Sequence, residues 1–356
     1  MLKSITLFGN FGALPLLKNS GDINNNKKKV IISFDAEFSI NGAFADPEHK
    51  QPCADAIFAP NPDGTEGLTD ILTILSAHQV KATFFAEVLN SYYFGNSKML
   101  KYVQQMIECN QDIQLHTHPC WLIFKEKNWQ DKVSSRLVCD DFDGTCKKDI
   151  VKVLSECLDI FKQWDVPRPV AYRAGNLHPK LALYDALDEL GFTVSSSVDL
   201  PIYIPKEPQL RTCNKAIDVH NITEFPVTSF KSMGIREKAL TITGCSFMEM
   251  KKVLTESLKK DTSPIVILSH VHEFIKKQPI SGKVVKNKVN LNRLNQLCQF
   301  INQDSRFQFT TFAQLACQAH KNKTQEKAAK KSNCTLSTPV VHGLWTLTQN
   351  KVNDYF

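Results

Sequence analysis

The chemistry of this chain is concentrated in five short stretches, and the first, Val30 to Phe38 (VIISFDAEF), sets the pattern. Val30, Ile31, Ile32 and Phe34 form a β-rich apolar run, with Lys27 to Lys29 as a polar boundary before it. Asp35 and Glu37 then stand two residues apart. Extended backbone repeats every two residues, so both carboxylates point to one face and Ala36 to the other. An acid pair at the carboxyl end of a buried strand lies where α/β proteins bind their ligands. On its own the pair reads equally well as a solvated strand end, and its partners decide between the two.

Four later stretches offer partners. DIQLHTHPCW brings His116 and His118, VAYRAGN brings Arg173, TVSSSVDLP brings Asp199, and PIVILSHVHEF brings His270 and His272. In every case an apolar, strand-like run ends in polar residues that can bind or catalyse. A parallel α/β sheet or barrel produces that recurrence when its site lies at one rim.

In this order the stretches resemble the polysaccharide deacetylase superfamily (NodB homology, carbohydrate esterase family four). SFDAE is similar to the family's T-F-D-D-G opening and its F-D-x-E variant. LHTHP is similar to its H-[ST]-x-x-H metal motif, YRAGN to its R-x-P-Y motif and LSHVHEF to its L-x-H motif. KATFFAEVL, Lys81 to Leu89, resembles the family's ATFF second strand closely, and the whole resemblance runs from Lys29 to Ala319. It implies a distorted (β/α) barrel of about seven parallel strands with the active site at their carboxyl ends. It also implies a metal-dependent hydrolase that removes an N-acetyl group from an amino sugar in a polysaccharide or glycan precursor. Two other readings stand beside that one: hydrolysis of another non-peptide C–N amide, and a catalytically inactive glycan-binding protein.

Amide hydrolysis needs an activated water, a base, stabilisation of the oxyanion and an acid for the leaving amine. A divalent metal supplies the first and third. One carboxylate with two histidines suits Zn2+ or its first-row neighbours Co2+, Ni2+ and Mn2+. Glu37, His116 and His118 provide that set and leave Asp35 as base, with Arg173 to keep it ionised. His270 is then the acid, and Asp199 the group that holds its imidazole in the right tautomer. The chain departs from the family pattern in three places. Asp35-Ala36 replaces the adjacent acid pair, Cys120 stands where the second histidine is usual, and the arginine motif reads Arg173-Ala174-Gly175-Asn176. His118, sharing a face with His116 in extended backbone, is the better ligand than Cys120, which reads as a packing residue. His272 reads as structural, and Trp121 as a groove or core aromatic.

The elements that must position these residues follow from periodicity. Helices are expected over 66–78, 97–109, 148–164, 179–190, 246–259, 291–301 and 312–317, and strands over 30–34, 81–87, 112–116, 170–172, 192–196, 222–227, 265–269 and 307–309. Residues 39–64 and 122–146 read as long polar insertions beside the site. The domain plan is a flexible leader over 1–28, a catalytic domain over 29–320 and a polar tail, read as disordered, over 321–356.

Composition sets the outer bounds. The chain has 356 residues, 42% of them hydrophobic and 22% charged, which is ordinary for a globular enzyme. A net charge of +7 without an aromatic-interleaved basic stripe gives no nucleic-acid site, and the expected partner is an N-acetylated carbohydrate. The 11 cysteines form no C-x-x-C pair, and no run of apolar residues is long enough for an integral membrane segment. With no clear signal peptide, a cytoplasmic location is expected.

Overall fold

The structure, a computed structural model, describes residues 27–48, 50–54, 57, 67–135, 140–262, 264–278, 282–322 and 334–355. The expected leader, apart from its last two residues, lies outside them, as does part of the 39–64 insertion. Strand β1 (Lys28–Ala36) is buried from Val30 onward and has a parallel neighbour on each side. Helix α1 (Gly67–Ala77) precedes β2 (Thr83–Glu87), and the helices α2 (Ser91–Phe94) and α3 (Asn96–Glu108) precede β3 (Asp112–Thr117). Helices α4 (Trp129–Ser135) and α5 (Lys147–Gln163) lead to β4 (Ala171–Ala174), and α6 (Leu181–Glu189) leads to β5 (Val194–Ser195). Helix α5 buries Ile150, Leu154, Cys157, Ile160 and Phe161, the stripe that helical spacing predicts. Gly191, just past α6, takes φ +75°, the left-handed turn that ends a helix without a Cβ penalty.

The next segment is antiparallel in part: β6 (Ile217–Val219) pairs with β7 (Ile222–Glu224), and β8 (Ser229–Ser232) pairs with β9 (Arg236–Ala239). Helix α7 (Phe247–Ser257) and β10 (Ile265–His270) follow, then a hairpin of β11 (Ile275–Lys277) and β12 (Val284–Lys286). Helix α8 (Lys288–Gln303), β13 (Phe307–Phe309), α9 (Phe312–Asn322) and α10 (Val340–Tyr355) complete the chain. The strand order is β10-β1-β2-β3-β4-β5-β7-β6, with β13 also on β1. Every pair is parallel except β6–β7. The sheet curls until the segment after β7 reaches β10, where Thr228 N donates to Val266 O at 3.0 Å. The result is the distorted barrel expected from the sequence.

Strand alternation decides what lies inside the barrel. Val30, Ile32 and Phe34 pack outward under the helices, while Ile31 joins an inner cluster with Phe85, Ala171, Val194 and Val266. Phe312 and Leu315 of α9 belong to that inner cluster and fill one end of the barrel. At the other end the same inward register carries Asp35, His116, Arg173 and His270. One expectation needs correction. Residues 321–356 are not a polar tail throughout, because 340–355 form α10. Its docking is largely polar: Thr346 donates to the buried Glu249, and Asn350 accepts from Arg293. Composition alone reads such residues as solvated. Among the described residues no helix is long and apolar enough to cross a membrane.

Candidate active site

The acid pair on β1 divides its work. Asp35 Oδ1 accepts from Arg173 Nη1 at 2.7 Å, and Arg173 is fully buried. The guanidinium is fixed on every side: Nε donates to Ser196 O at 2.9 Å, and Nη2 donates to Ser33 Oγ at 3.0 Å and Ser196 Oγ at 3.1 Å. Its plane lies 4.2 Å from the centre of the Phe85 ring. A planar fork bound this way cannot swing, so Asp35 is held in one orientation.

Glu37 turns instead toward the histidines of β3 and the residue after it. Its Oε2 lies 3.2 Å from His116 Nε2 and 2.8 Å from His118 Nε2. Donor atoms of Glu37, His116 and His118 all lie within 4.8 Å of one another. The far nitrogens are spoken for. His116 Nδ1 donates to Arg173 O at 2.9 Å, since a carbonyl only accepts, and this leaves Nε2 for a ligand. His118 Nδ1 faces Asp140 Oδ2 at 2.8 Å. Imidazoles anchored on one nitrogen by a carbonyl or carboxylate, with the other directed inward, are the arrangement metal ligands adopt. Burial pushes Glu37 up, but the charge and hydrogen bonds of His118 and His116 outweigh it and hold the carboxyl well below its ordinary range. For His118 burial works downward, and Glu37 and Asp140 outweigh it and keep the ring protonated. A divalent cation can take over the role of that proton between the three groups, with both rings neutral. The donor set therefore fits a zinc-like ion.

Gly175 stands where a side chain has no room. A Cβ there falls 2.7 Å from Thr117 O and 2.8 Å from His118 Nδ1, so a side chain at this position displaces the ring. Cys120 is buried on the Asp140 side of His118, hydrogen-bonded to that carboxylate, and it takes no part in the Glu37 cluster.

His270 stands opposite on β10, with Nε2 3.8 Å from Asp35 Oδ2 and 4.0 Å from Glu37 Oε1. Its orienting partner corrects the sequence reading. Nδ1 faces Glu273 Oε1 at 3.4 Å, and Glu273 Oε2 accepts from the His270 backbone N at 2.9 Å. The turn after β10 folds Glu273 back over the histidine, which leaves Asp199 no part in holding it. Burial lowers the His270 pKa, yet Glu273, Glu37 and Asp35 together raise it to about 9, while Glu273 falls to about 2 despite its own burial. Burial, aided by the charge on His270, pushes His272 down. Asp199 is fully buried, its carboxylate oxygens have no hydrogen-bond partner among the described residues, and burial raises its pKa to about 7 against the pull of Arg173.

Sequence reading missed Asp140, Glu273 and Glu87. The only signal for Asp140 was the charged insertion that contains it; Asn176 Nδ2 also donates to it, at 3.0 Å. Glu87 ends β2 in register with His116 and accepts from Leu89 N at 2.9 Å and Asn90 N at 2.8 Å. Burial raises it to about 7 in spite of His118.

A scan against protein-family models finds no match, and a search of curated proteins finds none either. Solved structures do match. A protein from Mycobacterium smegmatis assigned as a polysaccharide deacetylase aligns over 88% of this chain and 97% of its own, at 13% identity and a TM-score of 0.55. A family 4 carbohydrate esterase from Streptomyces lividans in complex with acetate aligns over 78% of this chain and 88% of its own, at 10% identity and a TM-score of 0.38. Peptidoglycan deacetylase PdaC from Bacillus subtilis aligns over 84% and 96%, at 13% identity and a TM-score of 0.39. Only the first exceeds a TM-score of 0.5, and it bears on the fold. This chain shares the fold of that Mycobacterium smegmatis protein, at a sequence identity of 13%.

Proposed function

We propose that this chain is a metal-dependent N-deacetylase acting on an acetylated amino sugar within a glycan or its precursor. One observation carries the reading. A carboxylate and two anchored imidazoles converge at the barrel rim, and an independent acid–base pair, Asp35 and His270, faces the same place 3.8 Å apart. A divalent metal bound by Glu37, His116 and His118 supplies a water of lowered pKa and a Lewis-acid contact for the carbonyl.

The chain's own residues do the rest. Asp35, held immobile by Arg173, accepts the proton of the attacking water. His270, charged below about pH 9, donates its Nε2 proton to the amine nitrogen as the C–N bond breaks. Glu273 holds that proton on the ring and fixes the direction of Nε2. Water and amide are consumed, and acetate and a free amine result. Asp140 and the Arg173 carbonyl keep the two imidazoles turned inward between turnovers.

The test is acetate release by purified, zinc-loaded protein from a panel of N-acetylated oligosaccharides, with zinc content measured on the same sample. Acetate formation that EDTA abolishes and zinc restores supports the reading. Stoichiometric zinc with no acetate from any N-acetylated sugar contradicts it.

A further inference from the structure

The lysine-rich stretch after the last histidine motif, KKQPISGKVVK from Lys276 to Lys286, reads in sequence as a solvated basic run. In the fold its two ends form the β11–β12 hairpin beside the metal-ligand carboxylate. A cavity of about 320 Å³ is lined by Glu37, Ser39, His272, Ile275, Lys276 and Lys277, among others. The pocket wall therefore runs from the Glu37 carboxylate to the strand that carries Lys276 and Lys277. Neither lysine is neutralised by a carboxylate among the described residues. Lys276 Nζ is held by neutral oxygens, Asn353 O at 2.7 Å and Asn353 Oδ1 at 3.0 Å. That leaves its third N–H and its whole charge available. Lys277 is exposed.

The hairpin is also fixed in place. Ile275 packs so closely on Gly67 that a Cβ there falls 2.8 Å from its Cγ2, Lys286 Nζ pairs with Asp70 Oδ1 at 2.9 Å, and Asn287 N donates to Phe274 O at 2.8 Å. Lysines on a pinned hairpin lose less freedom on binding than lysines on a loose loop. Among the described residues Glu37 is the one acid in the cavity wall, and it is committed to the histidines.

Resting on the deacetylase reading for where the sugar sits, we propose that this pocket is a subsite for an anionic substituent, a carboxylate or phosphate, on the acetylated glycan. Lys276 and Lys277 bind the anion, and the apolar wall of Ile275 takes a sugar face. The substrate class is thereby narrowed from N-acetylated glycans in general to acidic ones.

The experiment measures binding by calorimetry and acetate release in parallel, on zinc-loaded protein. The probes are chitotetraose (neutral), a hyaluronan tetrasaccharide (carboxylate), N-acetylglucosamine 6-phosphate and N-acetylglucosamine itself. Each anionic probe is expected to bind roughly tenfold or more tighter than its neutral counterpart, with the gap shrinking as salt rises. The variant K276Q/K277Q should bring the anionic-to-neutral ratio close to one, and K276R/K277R should retain it. Whichever probe shows the larger ratio distinguishes carboxylate from phosphate. Equal affinity for charged and neutral probes in the wild type overturns the proposal, as does a ratio that survives in K276Q/K277Q. Acetate release without charge preference overturns the subsite and leaves the deacetylase reading standing. A charge preference lost in K276Q/K277Q, without any acetate release, upholds the subsite and contradicts the deacetylase reading.

Discussion

His270 depends on Glu273 for its proton. The carboxylate lies against Nδ1, and with Glu37 and Asp35 nearby it raises the ring to about 9 although burial acts the other way. An acid of that pKa is charged at neutral pH, and deacetylation that requires it fails as the pH rises through about 9. Glu273→Gln removes the leading favourable contribution, so the alkaline limb of the pH–rate profile should move toward the ordinary histidine value near 6.5. An unchanged alkaline limb in that variant would show that another group sets it. At Gly175 the constraint is steric. Gly175→Ala places a methyl against His118 Nδ1, and zinc affinity measured by competition should fall by roughly 10–100-fold, the usual cost of disturbing a ligand's anchor. Much of this scale is legible in sequence. Asp35 and Glu37 share a face because strands alternate, and His116 and His118 meet Glu37 for the same reason. Glu273 is three residues from His270, inside a turn that strand periodicity does not describe, and it is Glu273 rather than Asp199 that faces the ring. Asp140 lies 22 residues from His118 in a charged insertion, where no period links the two.

At the scale of elements, the parallel strands and the main helices are legible because buried strands and amphipathic helices have distinct periods. The short β8–β9 and β11–β12 hairpins are not, since three or four residues carry too little pattern. Helix α10 is hidden for a different reason. Its hydrogen bonds, donated by Thr346 to Glu249 and accepted by Asn350 from Arg293 and by Asn353 from Lys276, reach groups far away in sequence. Thr346 serves two partners, since it donates to Glu249 and accepts from Ser246 N at 3.0 Å. Glu249 is fully buried and also bound by Ser232 and by Lys238. Thr346→Val should cost about 1–3 kcal/mol in urea unfolding, because a buried charged acceptor and a backbone N–H each lose a partner. A loss of less than a few tenths would mean that α10 is not docked in solution as it is here.

For the whole molecule, the rim that makes the site also sets how stability follows pH. His270 has a folded pKa raised to about 9, so its contribution is complete below about 6.5 and is lost as pH rises through 9. Asp199 is an acid raised from 3.8 to about 7; the folded state keeps its proton longer than the unfolded chain, so stability again falls as pH rises, here between about 4 and 7. EDTA-treated protein should therefore show a lower urea midpoint at pH 9 than at pH 6. Zinc should raise that midpoint, because it binds the folded chain and not the unfolded one. A midpoint that rises with pH in the apo protein would contradict this balance. The central claim is that one carboxylate of β1 binds the metal while the other moves the proton. It is tested most directly by Asp35→Asn, assayed for zinc content and for acetate release on a substrate the wild type deacetylates. Full zinc occupancy with turnover lowered by roughly 10²–10⁴ is the result expected for a positioned base. A wild-type rate, or zinc lost along with activity, would contradict it.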